Sequence, residues 1–251
     1  MRVAAWQAPI GLGRGADRLL ALEGAARAAA GAGASLLVAP EFALSGPPGP
    51  TEPGSASDGP EACALAEIAR GAGIAIAAGY LEACSGRLYS AALVVDRDGR
   101  ALANYRRTHL RSAERERLSA GAWLSIVPLG ERRCGLVIGY DLRFPEVARA
   151  LVLAGADLLL VLGGQPGEPE ATLGPLVAAR AIENGVPLVL AARAEAAAAP
   201  ARILGARGEL SAVGGAGPGT IVADLPLALA NEAGLADRRP RLYRQLVAEE
   251  T

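Results

Sequence analysis

Several strand-length stretches of this chain are apolar without alternation: Leu36-Leu37-Val38, Leu136-Val137-Ile138, Leu158 to Leu162, and Leu188-Val189-Leu190. A strand that shows one face to water alternates polar and apolar residues. A strand apolar throughout must be covered on both faces, which calls for a sheet held between layers. Ala-rich stretches with helical spacing lie between such strands. Residues 16–32 carry Leu19, Leu20 and Leu22, and residues 172–185 end at Gly185, a natural helix stop. The full expected order is strand 2–8, helix 16–32, strand 35–41, a Gly/Pro/Ser-rich loop 46–60 leading to helix 61–71, and paired strands 73–83 and 87–99 with a turn at Asp98-Gly99. It continues with strand 135–141, helix 145–154, strand 156–164, helix 172–185, strand 186–193, a hairpin 201–214 and a last strand 219–226. This alternation predicts a layered α/β domain. No repeat or long linker divides the chain, so residues 1–251 are taken as one domain.

Composition narrows the chemistry. The net charge of −1 carries no footprint for nucleic acid or an anionic membrane. No apolar stretch reaches spanning length, and the N-terminus enters a strand-like pattern with no apolar core like that of a secretion signal. Three cysteines, Cys63, Cys84 and Cys134, are too few and too widely spaced for a disulfide framework, which points to a reducing compartment such as the cytoplasm. One histidine, His109, and no Cys-x-x-Cys argue against a zinc site, so no metal and no cofactor is expected. All 25 basic residues are Arg. An arginine stays protonated, so no side-chain amine is available as a base or Schiff-base former.

The stretch "RCGLVIGYDLRFPE", residues 133–146, packs Tyr140, Asp141, Arg143 and Glu146 directly behind a buried strand. Polar density at a strand end is typical of an active site, yet Gly139, at the end itself, has no side chain. Two other islands precede it: "LVAPEFALSG" (37–46), and "DGRALANYRRTHL" (98–110) followed by "AERERLSAG" (113–121). "ARAIEN" (179–184) comes after. In order and spacing these resemble the nitrilase superfamily, the carbon–nitrogen hydrolases, and the likeness runs from Gln7 to "RRPRLY" at 238–243.

That resemblance implies a four-layer αββα sandwich and a small-molecule substrate. It also implies a homodimer or higher homo-oligomer, formed by helices packing across a two-fold axis. In the family a Glu, a Lys and a Cys do the chemistry with help from a second Glu. The thiolate attacks an amide or nitrile carbon, the Glu carries the proton, and the ammonium stabilises the oxyanion. Carried onto this chain, the first Glu falls on Glu41. The Lys position falls on Arg107, the second Glu on Glu114 with Glu116 as the alternative register, and the Cys position on Gly139. Tyr140, Asp141, Arg143 and Gln165 are then expected around the ligand.

These assignments leave two main readings. One is a protein without thiol-dependent amidase or nitrilase activity, working as a pseudoenzyme or a small-molecule binder. The other is a hydrolase or lyase of small C–N compounds that uses Glu41-activated water and Arg107. A purely structural subunit is a third possibility. His109 is read as part of the frame, and Arg180 with Glu183 as a structural i, i+3 pair. Cys134 lies an odd number of residues before Gly139, so it is expected to face the opposite side of its strand as a small apolar filler.

Overall fold

The structure is a computed structural model and describes residues 1–13, 15–49, 53–163, 169–194, 199–226 and 234–247. Two sheets face each other. The first is built from β1 (Arg2–Ala8), β2 (Leu36–Val38), β3 (Ala75–Cys84), β4 (Arg87–Val95), β5 (Ala101–Arg106) and β12 (Gly219–Asp224), in the order β5-β4-β3-β2-β1-β12. The second holds β6 (Ile126–Leu129), β7 (Arg132–Ile138), β8 (Leu158–Leu162), β9 (Leu188–Arg193), β10 (Arg202–Leu204) and β11 (Leu210–Val213), in the order β6-β7-β8-β9-β10-β11. The centres are parallel (β1-β2-β3 and β7-β8-β9) and the flanks antiparallel. A short parallel contact, Gln7 with Ala192 and Ala8 with Arg193, ties one sheet to the other.

Strand parity explains the layers. Side chains alternate faces along a strand, so each buried strand feeds two cores. Val3, Leu36, Leu136, Ile138, Leu160 and Val189 share the core between the sheets. Their odd-step neighbours turn outward. Ala4, Leu37 and Ile76 meet α1 (Ala16–Gly31) and α2 (Pro60–Ala72), while Val137, Leu159 and Leu188 meet α3 (Pro145–Leu153) and α4 (Glu170–Asn184). The result is the expected αββα sandwich. In α1 the buried set Leu22, Ala25, Ala26 and Ala29 follows the i, i+3, i+4, i+7 rhythm of one helix face. Pro145 occupies the first turn of α3, where its missing N–H costs nothing, and α4 stops at Gly185 in the left-handed conformation (φ 64°).

Two strands, β5 and β6, escaped the sequence reading, and β2 is shorter than the expected 35–41. The chain leaves the ladder after Val38 because Pro40 has no N–H to donate, and Glu41 turns toward the second sheet.

Candidate functional site

The C-terminal ends of the parallel strands meet at one end of the sandwich, where layered α/β proteins place their ligands. Three residues beyond β2, the Glu41 N–H donates across to the Gly163 carbonyl just past β8, at 2.8 Å. The Glu41 carbonyl accepts from Arg193 Nη2 at the end of β9, at 3.0 Å. The 40–42 segment lies directly on β3, because a Cβ at Gly79 would come within 2.6 Å of Glu41 Cα and of the Phe42 nitrogen. Phe42 itself takes a positive φ of 55°, a strained setting for a bulky residue, beside the carboxylate the turn presents.

Parity also decides between the two arginines that end β5. Tyr105 points into the inter-sheet core, so Arg107 does too, while Arg106 turns away to pair with Glu82 at 2.7 Å and to cover the Tyr89 ring. Arg107 is wholly buried. Its Nη1 lies 3.0 Å from Glu41 Oε1 and its Nη2 2.8 Å from Glu114 Oε1, so the cation is held between two carboxylates. Charge is balanced better than hydrogen bonding, since none of the three guanidinium nitrogens makes an aligned hydrogen bond. Ser90 Oγ donates to Glu41 Oε1 at 2.5 Å, and the Arg107 N–H donates to the Ser90 carbonyl at 2.8 Å. Glu114 closes the short 3₁₀ turn 112–114, its Oε2 accepting from the Arg111 N–H at 2.7 Å. Glu116 is exposed, so it is Glu114 that reaches Arg107. Burial pushes the Glu41 carboxyl above its ordinary range. The Arg107 charge and the Ser90 hydroxyl pull it back in part, and the nearby acids Glu114 and Asp141 push it further up.

Glu41 and Glu114 open onto a cavity of about 340 Å³, walled by Phe42, Pro47, Arg111, Arg117 and Arg193. Arg107 lies behind the two carboxylates. Gly139 does not line this cavity among the described residues. It follows β7 with a φ of 44°, the left-handed region that glycine enters without strain. Ile138 and Leu162 are the last pair of the β7-β8 ladder, and Gly139 and Gly163 are the residues that follow them.

Asp141 does not meet the ligand-facing expectation. Asp141 is fully buried and its oxygens are taken: Oδ2 accepts from the Tyr105 hydroxyl (2.7 Å) and the Ile138 N–H (3.3 Å), and Oδ1 from the Thr108 hydroxyl (3.0 Å) and the His109 N–H (2.9 Å). It ties the segment carrying Arg107 to the end of β7. His109 belongs to the same frame, its Nδ1 3.0 Å from Asp141 Oδ1 and its ring stacked on Phe144. Arg143 is exposed, and its carbonyl accepts from Arg180. Arg180 also donates to the Leu142 carbonyl, so it braces the 139–143 turn from α4. Tyr140 is half-buried between the Arg111 guanidinium and the Phe144 ring. Gln165 lies outside the described residues. Ser90, Arg111 and Arg193 were not singled out from sequence. Ser90 reaches Glu41 only through the β3-β4 register, and no local motif marks the two arginines. Among the described residues no group of three or more His, Cys, Asp or Glu could hold a metal.

A sandwich of this build, with a charged cluster where its strands end, falls in the class of the nitrilases and amidases. Residues 2–234 match the carbon-nitrogen hydrolase family, and the chain belongs to it. A hydrolase from the pqqF 5' region of Pseudomonas protegens is 40% identical over 158 residues, which are 60% of this chain and 55% of that protein. An omega-amidase of Danio rerio is 31% identical over 84% of this chain and 83% of its own length. Among solved structures, a Glu-to-Gln mutant of the amidase from Nesterenkonia sp. AN1, with acrylamide added at its active-site cysteine, superposes with a TM-score of 0.84. That match has 27% identity and covers 98% of this chain and 100% of that one.

Proposed function

We propose that this chain is a carbon-nitrogen hydrolase relative without a working thiol, which binds a small molecule in the cavity in front of Glu41, Glu114 and Arg107. One observation carries the reading: no thiol stands at the end of β7. Position 139, where the family resemblance puts the nucleophile, is glycine. The nearest cysteine along β7, Cys134, faces the inter-sheet core, fully buried, with its thiol pushed up to about 12 by burial. Arginine stands at the lysine position, and with no lysine in the chain no other side chain can supply an ammonium. The reading extends to a cytoplasmic homo-oligomer. Three free cysteines support the compartment, and exposed Leu153 and Ile182 on the α3/α4 layer support a partner surface.

A second reading is favoured by one feature, the raised carboxyl of Glu41 facing the cavity. A carboxyl raised above its ordinary range holds its proton more readily, which suits it to exchange a proton with a water in the cavity.

The test is peptide-mapped mass spectrometry after incubation with acrylamide and fluoroacetamide, both of which add to the active-site cysteine in a Glu-to-Gln mutant of the Nesterenkonia amidase. Ammonia release from a panel of small amides is measured in parallel. No adduct is expected on any residue around Glu41, with labelling confined to Cys63 and Cys84. Gly139→Cys alone is expected to recover little, and Gly139→Cys with Arg107→Lys to recover adduct formation. A substrate-derived adduct at the site of the unaltered protein would end the first reading. Ammonia release abolished by Glu41→Gln would establish the second.

A further inference from the structure

The two acids of the Glu41 cavity are charge-matched from behind. Arg107 lies 3.0 Å from Glu41 and 2.8 Å from Glu114, and burial holds the Glu41 carboxyl toward its neutral form. The rest of the charged wall is cationic. Arg111, Arg117 and Arg193 all line the cavity, and no further acid does among the described residues. Two of these arginines have work elsewhere: Arg193 donates to the Glu41 carbonyl, and the Arg111 guanidinium lies 5.0 Å from the centre of the Tyr140 ring. Arg117 is placed differently. It follows the short turn 112–114, and its Nη1 donates to the Pro48 carbonyl at 3.2 Å. Pro48 is itself part of the cavity wall, so this bond sets the guanidinium at the cavity's rim. One carbonyl satisfies only one of the five N–H donors of an arginine. The side chain is exposed, so the others are not sealed inside protein, and no carboxylate pairs with Arg117 among the described residues.

We propose that the ligand in front of Glu41 is a small monocarboxylate whose carboxylate sits on Arg117. This rests on the reading of that cavity as a binding site, and it names what the site takes. A guanidinium fork matches a carboxylate, and the positive charges of Arg111 and Arg193 on the same wall add to the attraction. The Glu41 end asks for the opposite polarity. The Ser90 hydroxyl and Arg107 both meet Oε1, which leaves Oε2 for the ligand. An ionised oxygen there accepts from an uncharged N–H or O–H group and repels a second carboxylate. Phe42 and Leu118 supply apolar wall for the body of the molecule. The ligand is therefore anionic at one end and a neutral hydrogen-bond donor at the other.

The experiment titrates three probes of similar length by calorimetry: succinamate, butyramide and 3-aminopropanamide. They share an amide at one end and carry a carboxylate, a methyl group or an ammonium at the other. Succinamate is expected to bind about tenfold more tightly than butyramide, and the ammonium compound most weakly. Arg117→Met should lower the preference for succinamate over butyramide at least about threefold, the scale of a partly exposed ion pair, and Arg117→Lys should keep part of it. Arg117 is exposed, so either replacement should leave the fold intact. A crystal soaked with succinamate should show the carboxylate on the Arg117 guanidinium and the amide at Glu41. Equal binding of the three probes, an unchanged preference in Arg117→Met, or the reverse orientation in the crystal overturns the carboxylate assignment and leaves the cavity a binding site. Binding of none of the three overturns the assignment together with the reading beneath it.

Discussion

Glu41 carries two opposed effects on one carboxyl. Burial disfavours its charge, Arg107 and Ser90 favour it, and burial wins. A carboxyl whose folded-state pKa lies above its unfolded value contributes stability that is fully present below the unfolded value, near 4.5. That stability is lost as pH rises through the folded value. Glu41→Gln removes the titration while keeping the shape. We therefore predict that the variant gains stability relative to the parent as pH climbs above about 4.5, levelling off once the parent's carboxyl is ionised. Urea denaturation from about pH 3.5 to 8 measures the gap. A gap that moves the other way would mean the Arg107 attraction outweighs burial, and that ionised Glu41 is held by a net favourable pair. Glu41, Arg107 and Glu114 were legible in the sequence because each sits in a contiguous motif. The choice of Arg107 over Arg106 is a matter of parity, visible from "NYRRTHL" once β5 is known to be a strand. Ser90 was not legible, since its contact with Glu41 depends on how β4 pairs with β3.

At the level of the element, the segment Pro40-Glu41-Phe42 is held in place by what β3 lacks. The Leu44 N–H donates to the Gly79 carbonyl, and the Gly79 N–H to the Pro40 carbonyl, so the turn is laced to β3 at the residue with no side chain to push it off. Adding a methyl there places it against backbone, which cannot rotate aside as a side chain could. Gly79→Ala is predicted to destabilise the protein by about 1–3 kcal/mol, the usual cost of overpacking a closed site. It should also lift Glu41 from Arg107, which a crystal structure of the variant would show. An unchanged urea midpoint would place the tolerance in the turn itself. The same region shows why β2 was overestimated. "SLLVAPE" reads as a continuous apolar strand, but Pro40 ends the ladder, and tertiary contacts with Gly163 and Arg193 carry Glu41 toward the second sheet. β5 was missed for another reason: as the edge of its sheet it is only partly covered, so its residues lack the apolar run that marked the central strands.

For the whole molecule, the question is whether two sheets with separate helix layers behave as one unit. Among the described residues their direct strand pairing is confined to Gln7-Ala8 and Ala192-Arg193, which alone would couple them weakly. The core between them is a different matter. It is lined from both sheets by residues such as Leu36, Val38, Leu136 and Leu160, each wholly removed from water, and each of which gives up about 1.5–3 kcal/mol of burial if the sheets part. Neither half can expose that face and stay folded, so the four layers should unfold together even though chains of this length often populate intermediates. The chain has built-in reporters for this. Trp6 is buried between β1 and the α1/α2 layer, and Cys134 is buried in β7 on the inter-sheet face. The other tryptophan, Trp123, is 83% exposed and can be changed to Phe at little cost, and Cys63 and Cys84 can be changed to Ser to leave one thiol. In that background the urea midpoint from Trp6 fluorescence is predicted to coincide with the midpoint for Cys134 becoming reactive to a thiol reagent under brief labelling. Thiol exposure at clearly lower urea than the tryptophan transition would show that the β7 sheet opens first. The inter-sheet core would then be a docking surface between two foldable halves.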